Sequence, residues 1–458
     1  MLRTLLFICE RPQLCHILRC SYSSPASNQT VREKKPTHFR FKSYDVPYVF
    51  ELDDLKIKPD EKWNIAPGIL QLLPRKLLNE PGHPLNLLKQ RIINYFYTAH
   101  RKSNSGSPTF VVCDNEPRLV TTFDNFDSLL TPADHVSRRP SDTYYVNNSY
   151  CLRAHTTAHQ YKLLTQGLDS FIMYGDVYRR DEIDRTHFPC FHQLDCVRIY
   201  SAVELFGSYQ YEKDEPAMFE TNPTADLRTP EKQEYHTIDT ARVLVIKLQS
   251  SLEGLTRAIF GSDVEMRWVD AYFPFTHPSF ELEVFFEGEW LEVLGCGVMD
   301  QKLLQSAGAG SKVGWAFGLG LERLAMKLYD IPDIRLFWLR DSGFLKQFAN
   351  LTPDDTIKYK PISNQPQLAI DLSFWLPENM DSNEMRSNTM DVIRTLGGEL
   401  VEQVELVDEF LHPKKNRRSH CYRVVYRSME RSLTKEEVNV IHKSIEKYLA
   451  ERFGAEIR

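Results

Sequence analysis

No run of the 458 residues stays apolar for anything near the ~18 positions that a bilayer-crossing helix needs, which excludes a span of that kind. Paired cysteines are missing as well. The nine cysteines are scattered: Cys9, Cys15 and Cys20 fall in the first 35 residues, and Cys113, Cys151, Cys190, Cys196, Cys296 and Cys421 follow no pairing pattern. That argues against a disulfide framework and suits a reducing compartment. Zinc has no credible ligand set either. Neither Cys190, His192 and Cys196 nor Cys151, His155 and His159 has C-x-x-C spacing, and Thr156 stands where a metalloprotease helix needs glutamate. A dinucleotide fingerprint is incomplete, because Arg323 follows Gly318 and Gly320 where a third glycine is required. Basic charge is scarce: 56 Lys and Arg face 62 Asp and Glu, a formal −6. An RNA partner is neither supported nor excluded, since affinity for phosphates depends on a local patch.

What is present is 42% hydrophobic residues, enough at this length for a sizeable core and two folded units. The first 35 residues stand apart. Arg3, Arg11 and Arg19 meet only Glu10 before Val31, they interleave with Leu2, Leu5, Leu6 and Ile8, and SYSSPAS follows. This is the composition of a mitochondrial transit peptide, and Glu10 and Arg11 cut the apolar stretch short for a secretory signal.

Chemistry concentrates between Tyr174 and Tyr200. Phe171, Ile172, Met173, Tyr174 and Val177 read as a strand that delivers Arg179, Arg180 and Asp181 at its end. A second strand, Phe191 to Tyr200, alternates Phe191, Gln193, Asp195 and Val197 with His192, Leu194, Cys196 and Arg198. A hairpin of this kind aims Arg179, His187, Phe191, Gln193 and Asp195 into one cleft. A guanidinium grips phosphate oxygens and a ring stacks on a base, so the set matches a nucleoside triphosphate. A surface hairpin laced with salt bridges fits the same residues.

Elsewhere the periods are clear. Leu85, Leu88, Ile92, Phe96 and Ala99 mark an amphipathic helix starting at Pro84, and TFVVCDN begins a strand. Leu152 to Gln160 opens a helix, with Thr156 and Thr157 placed either to cap it or to help bind a carboxylate. Residues 204–234 read as an exposed polar insertion, and Thr240 to Phe260 as a helix behind the sheet. Strands follow in EMRWVDAYF, SFELEVFF and EWLEVLGCG, where Gly295 and Gly297 would let backbone approach a ligand. GWAFGLGLERLAM is a strand feeding a helix. Residues 331–363, interrupted by prolines, read as a linker with one short helix near 341–349. The remainder is β-α-β-β-α with a final strand, a ferredoxin-like split βαβ. Its helix is stopped by Gly397 and Gly398, and a capping box joins Thr434 to Glu437.

The 174–200 stretch resembles motif 2 of the class II aminoacyl-tRNA synthetases, and FHQLD narrows the likeness to the phenylalanyl-tRNA synthetases in their single-chain mitochondrial form. LRAHTTAHQ and the run from VDAYFPF to GWAFGLGLER, similar to motif 3, agree in order and spacing. The resemblance implies an α+β class II catalytic domain (36–330) on a mostly antiparallel sheet, then an anticodon-binding domain (364–458). It implies attachment of phenylalanine to tRNA(Phe) through an adenylate, ATP as substrate with Mg2+, and a monomer in the mitochondrial matrix. Catalytic roles carry over to Arg179 on the α-phosphate, Arg323 on the γ-phosphate and His187 on the triphosphate. Phe191 would stack on adenine, and Thr157, Gln193, Asp195, Glu292 and more weakly Gln160 would hold the amino acid's polar end. Phe273 and Phe275 would edge the side-chain pocket that Ala316 floors and Phe317 lines, and His155, Ala158, His159, Thr186, Phe188 and Leu194 complete the substrate-binding set. Asp181 and Asp195 stand where the family has glutamate.

The C-terminal hundred residues are not uniformly basic: from 362 on, 14 Lys and Arg face 16 Asp and Glu. Only the loop with Lys414, Lys415, Arg417 and Arg418 concentrates cations, which marks it for tRNA. A rival reading, a synthetase-like RNA-binding protein that no longer activates amino acids, needs that loop but not both Arg179 and Arg323.

Overall fold

The computed structural model describes residues 46–102, 105–207, 217–339, 342–355, 357–360, 365–378, 380–412 and 417–458. The expected leader and Lys414 and Lys415 lie outside them. A seven-stranded sheet forms the body. Its strands are β1 (Val111–Cys113), β2 (Ser170–Tyr178), β3 (Cys190–Tyr200), β4 (Glu265–Phe273), β5 (Thr276–Phe286), β6 (Glu289–Met299) and β7 (Val313–Gly320), in the order β1-β2-β3-β7-β6-β5-β4. Every neighbouring pair is antiparallel except β1 with β2. The two expected arginine-bearing elements are thereby joined: β3 pairs with β2 on one side, Phe191 opposite Val177, and with β7 on the other, Asp195 opposite Gly318.

Three helices matter to the site. Helix α1 (Pro84–Ala99) and helix α2 (Ile238–Phe260) pack against each other, and α3 (Leu321–Tyr329) continues directly from β7. Pro84 sits at the first position of α1, where its missing N–H costs nothing. Leu85, Leu88, Ile92 and Phe96 are fully buried at 0% exposure. Each such side chain contributes about 1.5–3 kcal/mol of transfer free energy, so this face alone anchors the helix.

Two segments differ from their sequence reading. The stretch read as a linker from 331 on is packed down over its first part: Ile331, Ile334, Leu336, Phe337, Trp338, Phe344 and Phe348 are all buried. Prolines broke the periodicity there, but the aromatic residues fold beneath α1, where the His83 ring meets the Phe337 carbonyl at 2.9 Å. The short helix within it is Ser342–Lys346. The segment read as an exposed insertion ends in a buried clasp. Gln233 donates to the Met299 carbonyl at 2.9 Å and accepts from the Gln301 N–H at 2.7 Å, while Lys232 and His236 are buried beside it.

The C-terminal unit is the expected β-α-β-β-α-β: β8 (Leu368–Trp375), α4 (Ser382–Gly397), β9 (Val401–His412), β10 (Arg417–Tyr426), α5 (Lys435–Phe453) and β11 (Glu456–Ile457). The sheet order is β9-β10-β8-β11. Gly398, at a φ of 53°, ends α4, and the Thr434–Glu437 capping box starts α5. This unit docks on the loop after β2. Arg180 donates to Asp391 at 2.6 and 2.9 Å and to Asn388 at 3.0 Å, the Tyr144 hydroxyl donates to the other Asp391 oxygen at 2.9 Å, and the Val404 N–H reaches the Ile183 carbonyl at 2.9 Å.

Candidate active site

A cavity of about 720 Å3 opens between the β2–β3 loop, the 3-10 turn Thr156–His159, the β4–β5 hairpin and the start of α3. It is of the size that takes a drug-sized ligand. Alternation along β3 puts Phe191, Gln193 and Asp195 on its wall. His155, Thr157, Gln160, Arg179, Thr186, His187, Phe188, Phe273, Phe275, Glu292, Ala316, Phe317 and Arg323 line it too. Three expected residues do not. Leu194 points to the opposite face of β3 and is fully buried in the main core. Ala158 faces a small cluster with Val120, Phe126 and Cys151. His159 turns away and bonds to Arg153 at 3.1 Å. The 3-10 geometry of this turn explains the last two, because residues three apart share a face in so tight a turn, so Thr157 and Gln160 line the cavity and the two between them do not.

One end of the cavity is cationic. Arg179 is aimed by a bond from its Nε to the Ala154 carbonyl at 2.8 Å, and its guanidinium lies over the Phe191 ring at 5.0 Å. Arg323 reaches His187 at 3.2 Å, and His187 in turn holds Asp184 at 2.7 Å. Asp184 organises the whole loop, since its other oxygen accepts from the Thr186 N–H at 2.6 Å, the Thr186 hydroxyl at 2.9 Å and the His187 N–H at 2.8 Å. The hydrogen bond to Asp184 raises the His187 pKa above its ordinary value. Desolvation draws the Arg179 pKa down, Asp181 and Asp195 oppose this, and the charge of Arg323 adds to it. The two guanidiniums, 144 positions apart by residue number, therefore sense one another across a single space. Two guanidiniums facing one cavity with His187 beside them call for a polyanion.

The other end is apolar with a polar floor. Phe273 and Phe275 stack at 6.0 Å with 18° between the rings, and Phe317 stacks on Phe96 behind the wall. Gly295 makes room for a side chain here rather than for a ligand, because a Cβ at this position would meet the Phe273 ring at 2.6 Å. Asp195 sits at the junction. The Thr157 hydroxyl donates to it at 2.5 Å, which is the role that hydroxyl takes in place of a helix cap. Burial pushes the Asp195 carboxyl up to about 6, against the pull of Thr157, Thr156 and Arg179. Around it are acceptors without a partner among the described residues: His155 Nδ1, Gln160 Oε1 and Gln193 Oε1. His155 is kept neutral, its pKa drawn down to about 3 chiefly by burial, and its Nε2 donates to the Asn125 carbonyl at 3.1 Å. Buried polar atoms are rarely left unpaired, so this floor fits a donor-rich cation such as an ammonium group.

The core of the chain matches the model of tRNA synthetases class II core domain (F) over residues 74–208 and 231–348, and residues 363–458 match the ferredoxin-fold anticodon binding domain. The mitochondrial phenylalanine–tRNA ligase of Mus musculus is 46% identical over 445 residues, covering 97% of this chain and 94% of that protein. The probable mitochondrial enzyme of Drosophila melanogaster is 46% identical over 429 residues, covering 91% and 94%, and that of Saccharomyces cerevisiae is 36% identical over 482, covering 94% and 99%. The chain belongs to this family. A phenylalanine–tRNA ligase of this class uses ATP, an amino acid and tRNA, so both ends of the cavity have a counterpart in the family's substrates.

Sequence reasoning missed Asp184 and Glu322. Asp184 sits in a DRTH run that reads as a solvated loop, and only its four bonds reveal the hub. Glu322 precedes the noticed Arg323, yet nothing local signals that it is buried against His192. In the C-terminal domain Arg417 and Arg418 are described and each is paired, with Glu456 at 2.7 Å and with Glu409 at 2.9 Å. Neither acid lies in the cation-rich run itself, so nothing local signals them.

Proposed function

We propose that this protein charges tRNA(Phe) with phenylalanine in the mitochondrial matrix, acting as a monomer. The observation that carries the reading is the division of one cavity into a cationic end and an aromatic slot floored by unpaired acceptors around Asp195. No helix among the described residues is long and apolar enough to cross a membrane.

In this reading ATP lies with adenine on Phe191 and its phosphates between Arg179, His187 and Arg323. Phenylalanine places its ring between the Phe273–Phe275 pair and Ala316 and Phe317, and its ammonium on Asp195, Gln193, Gln160 and Thr157. The carboxylate attacks the α-phosphorus and pyrophosphate leaves; a terminal ribose hydroxyl of the tRNA then attacks the acyl carbon of the adenylate, the mixed anhydride breaks, and AMP departs. Arg179, over the Phe191 face, spans the α-phosphate and the carboxylate and holds them in line. No side chain becomes covalent, and the rate comes from alignment and from fixed positive charge near the transferring phosphorus.

Mg2+ is expected with the nucleotide, where it neutralises phosphate charge. Such an ion is held by one or two carboxylates and by the phosphates themselves. Glu292, whose side chain lines the cavity, would supply one such carboxylate. The test is ATP–pyrophosphate exchange. It is expected to require phenylalanine and to disappear in Arg179→Ala, and exchange independent of phenylalanine overturns the reading.

A further inference from the structure

His192 and Glu322 form a buried pair beside the cavity: His192 does not line it, Glu322 borders it next to Arg323, and each is the chain neighbour of a residue on its wall. His192 lies between Phe191 and Gln193 on β3 and points away from the cavity. Glu322 immediately precedes Arg323 in the first turn of α3. One carboxylate oxygen accepts from the His192 N–H at 2.8 Å and the other from its Nδ1 at 2.6 Å. The two side chains are 1% and 3% exposed.

The tautomer follows from the surroundings. Nε2 has no hydrogen-bond partner among the described residues, so the ring proton belongs on Nδ1, facing Glu322. The imidazole stacks on Trp338 at 5.9 Å and 25°, and Trp338 stacks in turn on Phe188 of the cavity wall at 5.4 Å. His83 and Arg75 reach this corner through the Phe337 carbonyl and the Trp338 ring, and Asp176, opposite His192 on β2, and Cys190 on β3 face the pair as well.

The strand ladder already fixes Gln193 and Asp195, which lie opposite Gly320 and Gly318 of β7. It does not reach Arg323, which stands beyond the end of β7 in α3, with an exposed side chain. The bidentate contact is what ties that first helical turn to β3. We infer that His192 and Glu322 are positioning residues: a strut that holds Arg323 at a fixed distance from Phe191 and so sets the span available to a nucleoside triphosphate. The inference rests on the reading above, and it assigns the strut to the ATP half of the cavity alone.

Two variants separate the hydrogen bond from the ring. Asparagine places an amide N–H near the position of Nδ1 and so keeps the donor to Glu322 without the ring. Phenylalanine keeps the ring on Trp338 and loses the donor. Affinities for ATP and for phenylalanine, measured separately on the full chain by calorimetry, need no turnover. His192→Phe is expected to weaken ATP binding roughly tenfold, the worth of one lost charge-assisted hydrogen bond. Phenylalanine binding is expected to stay within about twofold, and His192→Asn to restore most of the ATP affinity while Tm follows loss of the ring. Should His192→Phe fail to fold, Glu322→Gln keeps the bond from the His192 N–H and removes the charge, with the same selective loss expected. ATP affinity that is unmoved, that follows the ring instead of the donor, or that falls together with phenylalanine affinity overturns the inference. A wild-type chain that binds ATP yet gives no phenylalanine-dependent exchange sinks the proposed function and leaves the measurement on the strut valid.

Discussion

At the scale of single residues, Asp195 concentrates the account. Its carboxyl is raised by burial to about 6, so it is ionised above that pH and becomes neutral as pH falls through it. Only the ionised form matches an ammonium group. The KM for phenylalanine is therefore expected to climb below pH 6 while the KM for ATP stays flat, and Asp195→Asn should raise the phenylalanine KM at neutral pH and abolish the inflection. Initial-rate exchange assays across pH 5 to 8 check this, and a pH-independent phenylalanine KM in the wild type contradicts it. Sequence alone brought Asp195 to notice because strand alternation grouped it with Phe191 and Gln193. The same alternation should have removed Leu194, which faces the core. Ala158 and His159 were harder, since a 3-10 turn carries no reliable period in so few residues.

At the scale of elements, the loop between β2 and β3 is held from both sides. Asp184 folds it toward the cavity, and Arg180 pins its first residues to Asp391 of α4, with side-chain exposures of 2% and 1%. Removing one partner of a buried pair leaves the other desolvated, at a cost of about 3–5 kcal/mol. Arg180→Ala is expected to lower stability in urea by that order, and a loss under ~1 kcal/mol would show that the latch contributes little. The elements themselves were largely legible: α1, α2, β4 to β7, α3 and the C-terminal unit follow from period, proline and glycine. The packed stretch beyond 331 and the Gln233 clasp were not, because their burial depends on partners distant in sequence and leaves no periodic trace.

At the scale of the molecule, the chain's negative balance forces any RNA contact to be local. Lys414 and Lys415 belong to the cation-rich run of the sequence, while Arg417 and Arg418 already have carboxylate partners. Replacing both lysines by glutamine should reduce the salt slope of tRNA binding by about two and leave pyrophosphate exchange untouched. An unchanged slope removes this loop from the contact. The central claim remains that Arg179 and Arg323 act on one triphosphate. Single-turnover adenylate formation in Arg179→Ala, Arg323→Ala and the double variant tests it most directly. The account predicts that each single variant loses a large part of the rate and that the double loses clearly less than the product of the two, as groups on one transition state do. Strict multiplicativity, or a normal rate in either single variant, contradicts it.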